Sequence, residues 1–169
     1  MTTDPTESFA SALADAGVGC TVTTASGFDE TVAEAIERPA VGAPLGLDAV
    51  SLAETDVTVP PTPRLLEAAE TGVTRAHAGI VEHGSFVIRS DEAGTEPVSL
   101  YPRKHVGVLR ASDLTGSFAS AAPWLDDELR AGPGSAVVAT GPSATADMGE
   151  IVNGVHGPQD VHAVVLSDR

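Results

Sequence analysis

Apolar residues recur along this chain in short runs divided by glycine and proline, and their spacing alternates between helical and extended. Over residues 6–16, Phe9, Ala10, Leu13 and Ala14 share one helical face, and Gly17 stops the run. Residues 18–23 alternate and predict a strand. Gly27-Phe28-Asp29 leads into a helix over 30–37 that Pro39 ends, because the proline ring clashes with a helical residue before it. Residues 40–43 fit a short parallel strand, and 47–54 fit either a loop or a short helix. A strand over 56–59 is closed by Pro60-Pro61. Thr62 then caps a helix with Pro63 at its first position, running to about Glu70, with Gly72 as its stop. Helix and strand in repeated succession predict a parallel sheet with crossover helices.

The middle of the chain changes character. Residues 74–80, 85–89 and 98–100 read as short strands joined by glycine turns or by the polar loop 90–96, and 105–109 as another strand. Ser112 or Asp113 caps a helical stretch reaching Arg130, with Gly116 and Pro123 as the points where it would break. After Gly132-Pro133-Gly134, residues 135–140 predict a buried strand ending in Gly141-Pro142-Ser143. A short helical segment carrying Asp147 and Glu150 follows. A second glycine-rich turn, Asn153-Gly154-Val155-His156-Gly157-Pro158, then leads into a final strand over 161–166. Such turns let backbone approach another backbone or a ligand. No internal repeat or low-complexity tract is visible, so the expectation is one α/β domain over residues 1–169.

Three segments carry a family resemblance. Gly141-Pro142-Ser143 followed by Thr145-Ala146-Asp147, a spacer, and Gly154-Val155-His156-Gly157-Pro158 resembles the C-terminal signature of the LutC/YkgG family, the LUD domain of lactate utilisation. Upstream, Gly79-Ile80-Val81-Glu82-His83-Gly84-Ser85 is similar to its G-I-A-E-T-G-T segment, and Leu100-Tyr101-Pro102-Arg103-Lys104-His105-Val106 resembles its L-P-x-x-H-(I/V) segment. The three stand in the family's order and cover roughly residues 75–166. The resemblance implies a Rossmann-like, mainly parallel sheet with flanking helices, of the NagB, RpiA and CoA-transferase kind.

Composition narrows the function classes. The net charge of −15 sets 24 acidic residues against nine basic ones, of which only Lys104 is a lysine. With small side chains and few aromatics this reads as salt adaptation, since carboxylates hold water and repel one another until salt screens them. Binding along a nucleic acid backbone needs a basic face that this chain lacks. Its one cysteine, Cys20, excludes an internal disulfide and any cysteine-ligated cluster built within the chain. With no apolar run of membrane-spanning length and no signal peptide, the expectation is a soluble cytoplasmic protein.

The candidate chemistry sits in the glycine-rich turns. Glu82, at a strand end before Gly84 and Ser85, fits a base, a nucleophile or an acceptor for substrate hydroxyls; it equally fits a carboxylate tying down its own turn. Gly141, Pro142, Ser143 and Thr145 fit an anion-binding loop at a helix start, or plain capping with Asp147 in the first turn. The loop lacks a nucleotide-binding spacing. His156, between Gly154 and Gly157, fits an acid/base or a donor to substrate, or a group fixing the turn. His162 reads as structural, and His105 fits either role. The five histidines lack metal-site spacing, so no metal is expected. Where the family often has arginine after its GPS and HGP motifs, this chain has Ala144 and Gln159.

What the resemblance implies about activity is a component supporting oxidation of lactate to pyruvate, beside separate iron–sulfur subunits. The chain itself shows no cluster ligands and no flavin or nicotinamide motif, so its own part would be a small-molecule site or an assembly surface. The alternatives are a free-standing small-molecule or CoA-transferase-like enzyme or binder, and a non-catalytic scaffold.

Overall fold

The computed structural model describes residues 4–132, 134–145, 152–153 and 156–169. Helix α1 (Pro5–Asp15) is capped by Asp4, whose carboxylate accepts the Thr6 N–H at 2.9 Å. Strand β1 (Gly19–Thr23), helix α2 (Phe28–Ala35) and strand β2 (Ala40–Gly42) follow. A long loop then leads to β3 (Val57–Thr58), and α3 (Pro63–Ala68) starts where the Thr62 hydroxyl accepts the Leu65 N–H. Next come β4 (Thr71–Arg75), β5 (Ala78–Ile80), β6 (Ser85–Arg89), α4 (Thr95–Leu100) and β7 (Lys104–Arg110). The chain continues through β8 (Leu114–Thr115), α5 (Phe118–Arg130), β9 (Ala136–Thr140), β10 (Ala144–Thr145) and β11 (Val152–Asn153) to β12 (Asp160–Leu166).

Six strands form one sheet in the order β1-β12-β7-β4-β2-β3, and every pairing in it is parallel. The predicted Rossmann-like sheet with flanking helices is therefore present. Its central strands are buried nearly throughout because both faces are covered. Val73, Val106, Val108, Val164 and Leu166 face Phe28 and Val32 of α2 and the leucines of the loop before β3. On the other face, Val161, Ala163, Val165 and Leu109 meet Phe9 and Leu13 of α1 and Phe86 and Ile88 of β6. Phe9, Leu13 and Phe86 are at most 1% exposed, and each such side chain contributes about 1.5–3 kcal/mol by leaving water.

The second sheet, ordered β8-β5-β6-β9, packs over α1's side of the first. Helix α5 covers its far face, where Ala121 meets Ala78, Ile80 and Val87. This sheet accounts for most of the differences from the sequence reading. The run 74–80 is two strands, not one: β4 ends at Arg75, and the chain crosses through Ala76-His77 into β5 of the other sheet. Gly72 lies inside β4 rather than ending a helix. A Cβ there would collide with the Val98 carbonyl, so the glycine is what lets α4 sit against the strand. Residues 98–100, read as a strand, belong to α4, whose start is held by the Asp91 carboxylate accepting the Thr95 N–H at 3.0 Å. Ser117, not Ser112 or Asp113, caps α5, and Pro123 sits inside that helix without ending it. The strand predicted as buried over 135–140 is β9, an edge strand with Val138 42% exposed.

The segment after Ser143 also departs from expectation. Ala144 and Thr145 pair antiparallel with Asn153 and Val152 as a two-stranded ribbon, so no helix starts at residue 144. Asp147, Glu150 and Gly154 lie outside the described residues.

Candidate functional site

The two glycine-rich turns meet. The Ser143 N–H donates to the Pro158 carbonyl at 2.8 Å, and a Cβ on Gly157 would stand 3.2 Å from that of Ser143. Gly141 takes a φ of +73°, and a Cβ there would press within 2.6 Å of the Ala16 carbonyl at the end of α1. Glycine at 141 thus lets β9 turn sharply against α1. The next turn is held from the other side, where the Arg103 carbonyl accepts the Gln159 N–H at 2.7 Å.

Between these turns lies a cavity of about 320 Å³. Gly141, Pro142 and Ser143 form one wall, His156, Gly157 and Pro158 another, and Ser99, Leu100, His105, Thr140 and Val161 are among the residues that complete it. It opens at the amino-terminal ends of β7 and β12, where His105 and Val161 are each the second residue of their strand. Ligands of open α/β sheets ordinarily sit at the opposite, carboxyl ends. His105 is 2% exposed, and its Nε2 lies 2.9 Å from the Thr74 hydroxyl. Burial pushes its pKa down to about 4, so the ring is neutral at neutral pH. His156 is exposed at the cavity mouth.

Five of the predicted site residues are therefore brought together: Gly141, Pro142, Ser143, His156 and Gly157. Glu82, Gly84 and Ser85 stand apart from this cavity. Glu82 lies exposed in a 3-10 turn (Val81–His83), and its own N–H donates to the Gly116 carbonyl at 3.0 Å. Gly84, with φ +60°, packs against α1, where a Cβ would meet the Ala12 backbone at 2.6 Å. Ser85 is 2% exposed and pairs its hydroxyl with that of Thr140 at 2.7 Å, linking the Glu82 turn to the cavity wall. Ser99 and Leu100 escaped the sequence reading because their segment resembled a strand. His162 bonds the Thr21 hydroxyl at 2.9 Å between β12 and β1, the structural role expected of it; burial is the largest cause of its lowered pKa.

Among the described residues no lysine or arginine lines the cavity. The nearest cations by sequence are committed elsewhere: Arg103 to Glu37 and Glu70, Lys104 to Glu37 and Asp160. A larger cleft of about 640 Å³ lies under the loop 44–59, but its described lining residues include no titratable side chain. Among the described residues no group of three or more His, Cys, Asp or Glu is placed to hold a metal ion, and no helix is long and apolar enough to cross a membrane.

The model of the LUD domain family matches residues 19–166, which include both sheets and the cavity. The chain belongs to this family. Among LUD relatives, "Lactate utilization protein C" of Geobacillus sp. (strain WCH70) is 29% identical over 107 residues, covering 61% of this chain and 44% of that protein. The protein of the same name from Bacillus licheniformis is 30% identical over 107 residues, covering 61% of this chain and 45% of its own length. The match thus spans less than half the length of these relatives. A crystal structure of a DUF162 family protein from Deinococcus radiodurans superimposes with a TM-score of 0.73 at 21% identity, covering 96% of both chains. That likeness is one of fold.

Proposed function

We propose that this chain is a LutC-like component of a lactate-utilisation system that supports oxidation of lactate to pyruvate together with iron–sulfur partner subunits. Membership of the LUD family, with relatives named for lactate utilisation, carries the reading. The cavity between the Ser143 and His156 turns supports a small-molecule site within it. Its volume suits a small organic acid, which would be oriented by the Ser143 hydroxyl and the His156 ring. Ala144 and Gln159 leave the carboxylate to neutral donors rather than to an arginine. The redox groups belong to the partners in this reading, and the cytoplasm is where the assembly would work.

The test is a thermal-shift titration of the purified chain in high salt with lactate and pyruvate. A ligand at a hundred times its dissociation constant adds about 2.7 kcal/mol. The stabilisation should vanish in Ser143→Ala and in His156→Ala and persist in Glu82→Ala, because Glu82 stands apart from the cavity. Co-purification with partners containing iron and acid-labile sulfide tests the assembly. No stabilisation by either acid would remove the intrinsic site, and purification without iron would remove the partners.

The absence of any fixed cation over residues 131–166 favours one other reading, a scaffold subunit that holds the partners and binds no acid itself. Iron-containing co-purification without any ligand shift would select it.

A further inference from the structure

Another cleft lies at the opposite, carboxyl end of the central strands of the parallel sheet. Strands β4 and β7 are neighbours there, and both leave at their carboxyl ends to enter the second sheet as β5 and β8, which run parallel to each other. The gap between the two exits is a cleft of about 270 Å³ lined by His77, Ser112, Asp113, Thr115, Ser120 and Trp124. It occupies the position beyond the carboxyl strand ends where open α/β sheets bind ligands. None of its polar side chains belongs to the site described above.

Two of the lining groups have a defined hydrogen-bonding role. His77 Nδ1 accepts the Arg89 N–H at 3.3 Å, which assigns the hydrogen of the neutral ring to Nε2. Burial, followed by Arg75 and Arg89, pushes the pKa of this ring down to about 4, so at neutral pH it is a fixed N–H donor and not a cation. Among the described residues no protein group accepts from Nε2. Asp113 is 12% exposed and receives both Nε and Nη2 of Arg110, at 2.8 and 2.7 Å. Its charge is met, and a carboxylate so held keeps lone pairs for a further donor. Trp124 is half-buried against the second sheet's core and supplies a flat apolar wall.

A donor, an acceptor, hydroxyls and an indole face in one small cleft match a ligand whose groups both donate and accept. An anion would face the Asp113 carboxylate, already engaged by Arg110, with no lysine or arginine among the described lining residues, and a cation would face the His77 N–H. We propose that this cleft binds a neutral polyol of monosaccharide size, its hydroxyls bridging His77 and Asp113 and its carbon face resting on Trp124.

The chain's one tryptophan makes the test direct. Trp124 emission is followed while the folded protein is titrated with D-ribose, D-glucose and myo-inositol, and separately with sodium lactate and sodium phosphate. The expected result is a saturable change with at least one neutral polyol, weakened at least tenfold by His77→Phe and unaffected by Ser143→Ala in the other cavity. If His77→Phe does not fold by far-ultraviolet circular dichroism, Thr115→Val takes its place with the same expectation. No saturable change, a change produced only by the charged probes, or a change abolished by Ser143→Ala overturns the proposal.

Discussion

His105 Nε2 lies 2.9 Å from the Thr74 hydroxyl, and the two side chains bridge β7 and β4 in the interior, 2% and 0% exposed. The imidazole is neutral in the folded protein because burial holds its pKa at about 4. In the unfolded chain it titrates near 6.5. The unfolded state thus binds more protons between these values, so the contribution of His105 is complete above about pH 6.5 and is lost as pH falls toward about 4. Unfolding free energies from urea titrations of the wild type and His105→Asn should differ more at pH 7.5 than at pH 4.5, by on the order of 2–3 kcal/mol. A difference independent of pH would show that the ring is not excluded from water.

Gly84 fits where no side chain does. Its φ of +60° and the 2.6 Å approach of a Cβ to the Ala12 backbone penalise any substitution twice. Gly84→Ala should cost about 3 kcal/mol or more in urea unfolding, from left-handed strain and displacement of α1. The folded fraction should bind cavity ligands as before, because Gly84 does not line the cavity. Weakened binding at unchanged stability would instead make Gly84 a ligand contact.

Ser85 and Thr140 form a pair whose partners should prove unequal to lose. Thr140→Val strands the buried Ser85 hydroxyl without its partner and should destabilise by about 1–2 kcal/mol, whereas Ser85→Ala leaves only the exposed Thr140 hydroxyl, which water can reach, and should cost less. Ser85→Ala with Thr140→Val should cost less than the sum of the two single changes. A double-mutant cycle by thermal unfolding measures the coupling, and additive losses would mean that the 2.7 Å contact contributes nothing.

Charge should make the fold salt-dependent. Twenty-four acidic against nine basic residues leave more repulsion than the surface ion pairs of Arg103 and Lys104 offset, since exposed pairs contribute under about 1 kcal/mol each. Raising potassium chloride from 0.1 to 2 M should raise the melting temperature in calorimetry, by roughly 2–4 °C for each kcal/mol of repulsion removed. A falling melting temperature would place the ion pairs ahead of the repulsion.

The sequence made the parallel sheet legible because its strands are bounded by prolines, glycines and capped helices: Thr62 with Pro63, and Gly17 after Leu13, mark element ends by local chemistry. It did not reveal the second sheet, because that sheet depends on contacts distant along the chain. Nothing near Arg75 marks the change of sheet, since Ala76 and His77 could continue a strand, and only the pairing of Ala78 with Val87 decides it. Residues 98–100 read as a strand from valine and leucine, but Asp91 reaches four residues forward to start a helix there. In the candidate site, glycine and proline announced the Ser143 turn and the described end of the second turn, His156 to Pro158. Spacing alone could not show that Gly84 and Ser85 serve packing, because that follows from α1 and β9 lying against them.

The position of β12 has a consequence for synthesis. The strand spanning Asp160–Leu166 lies between β1 and β7, so β1, made first, pairs only with a strand made last among the six. A nascent chain that has reached residue 150 on the ribosome holds β1 without its neighbour and β7 with one flank open. The parallel sheet can therefore close only after residue 166 has emerged, and until then its valine-rich edges depend on the chain's own acidity, or on a chaperone, to stay apart from other chains.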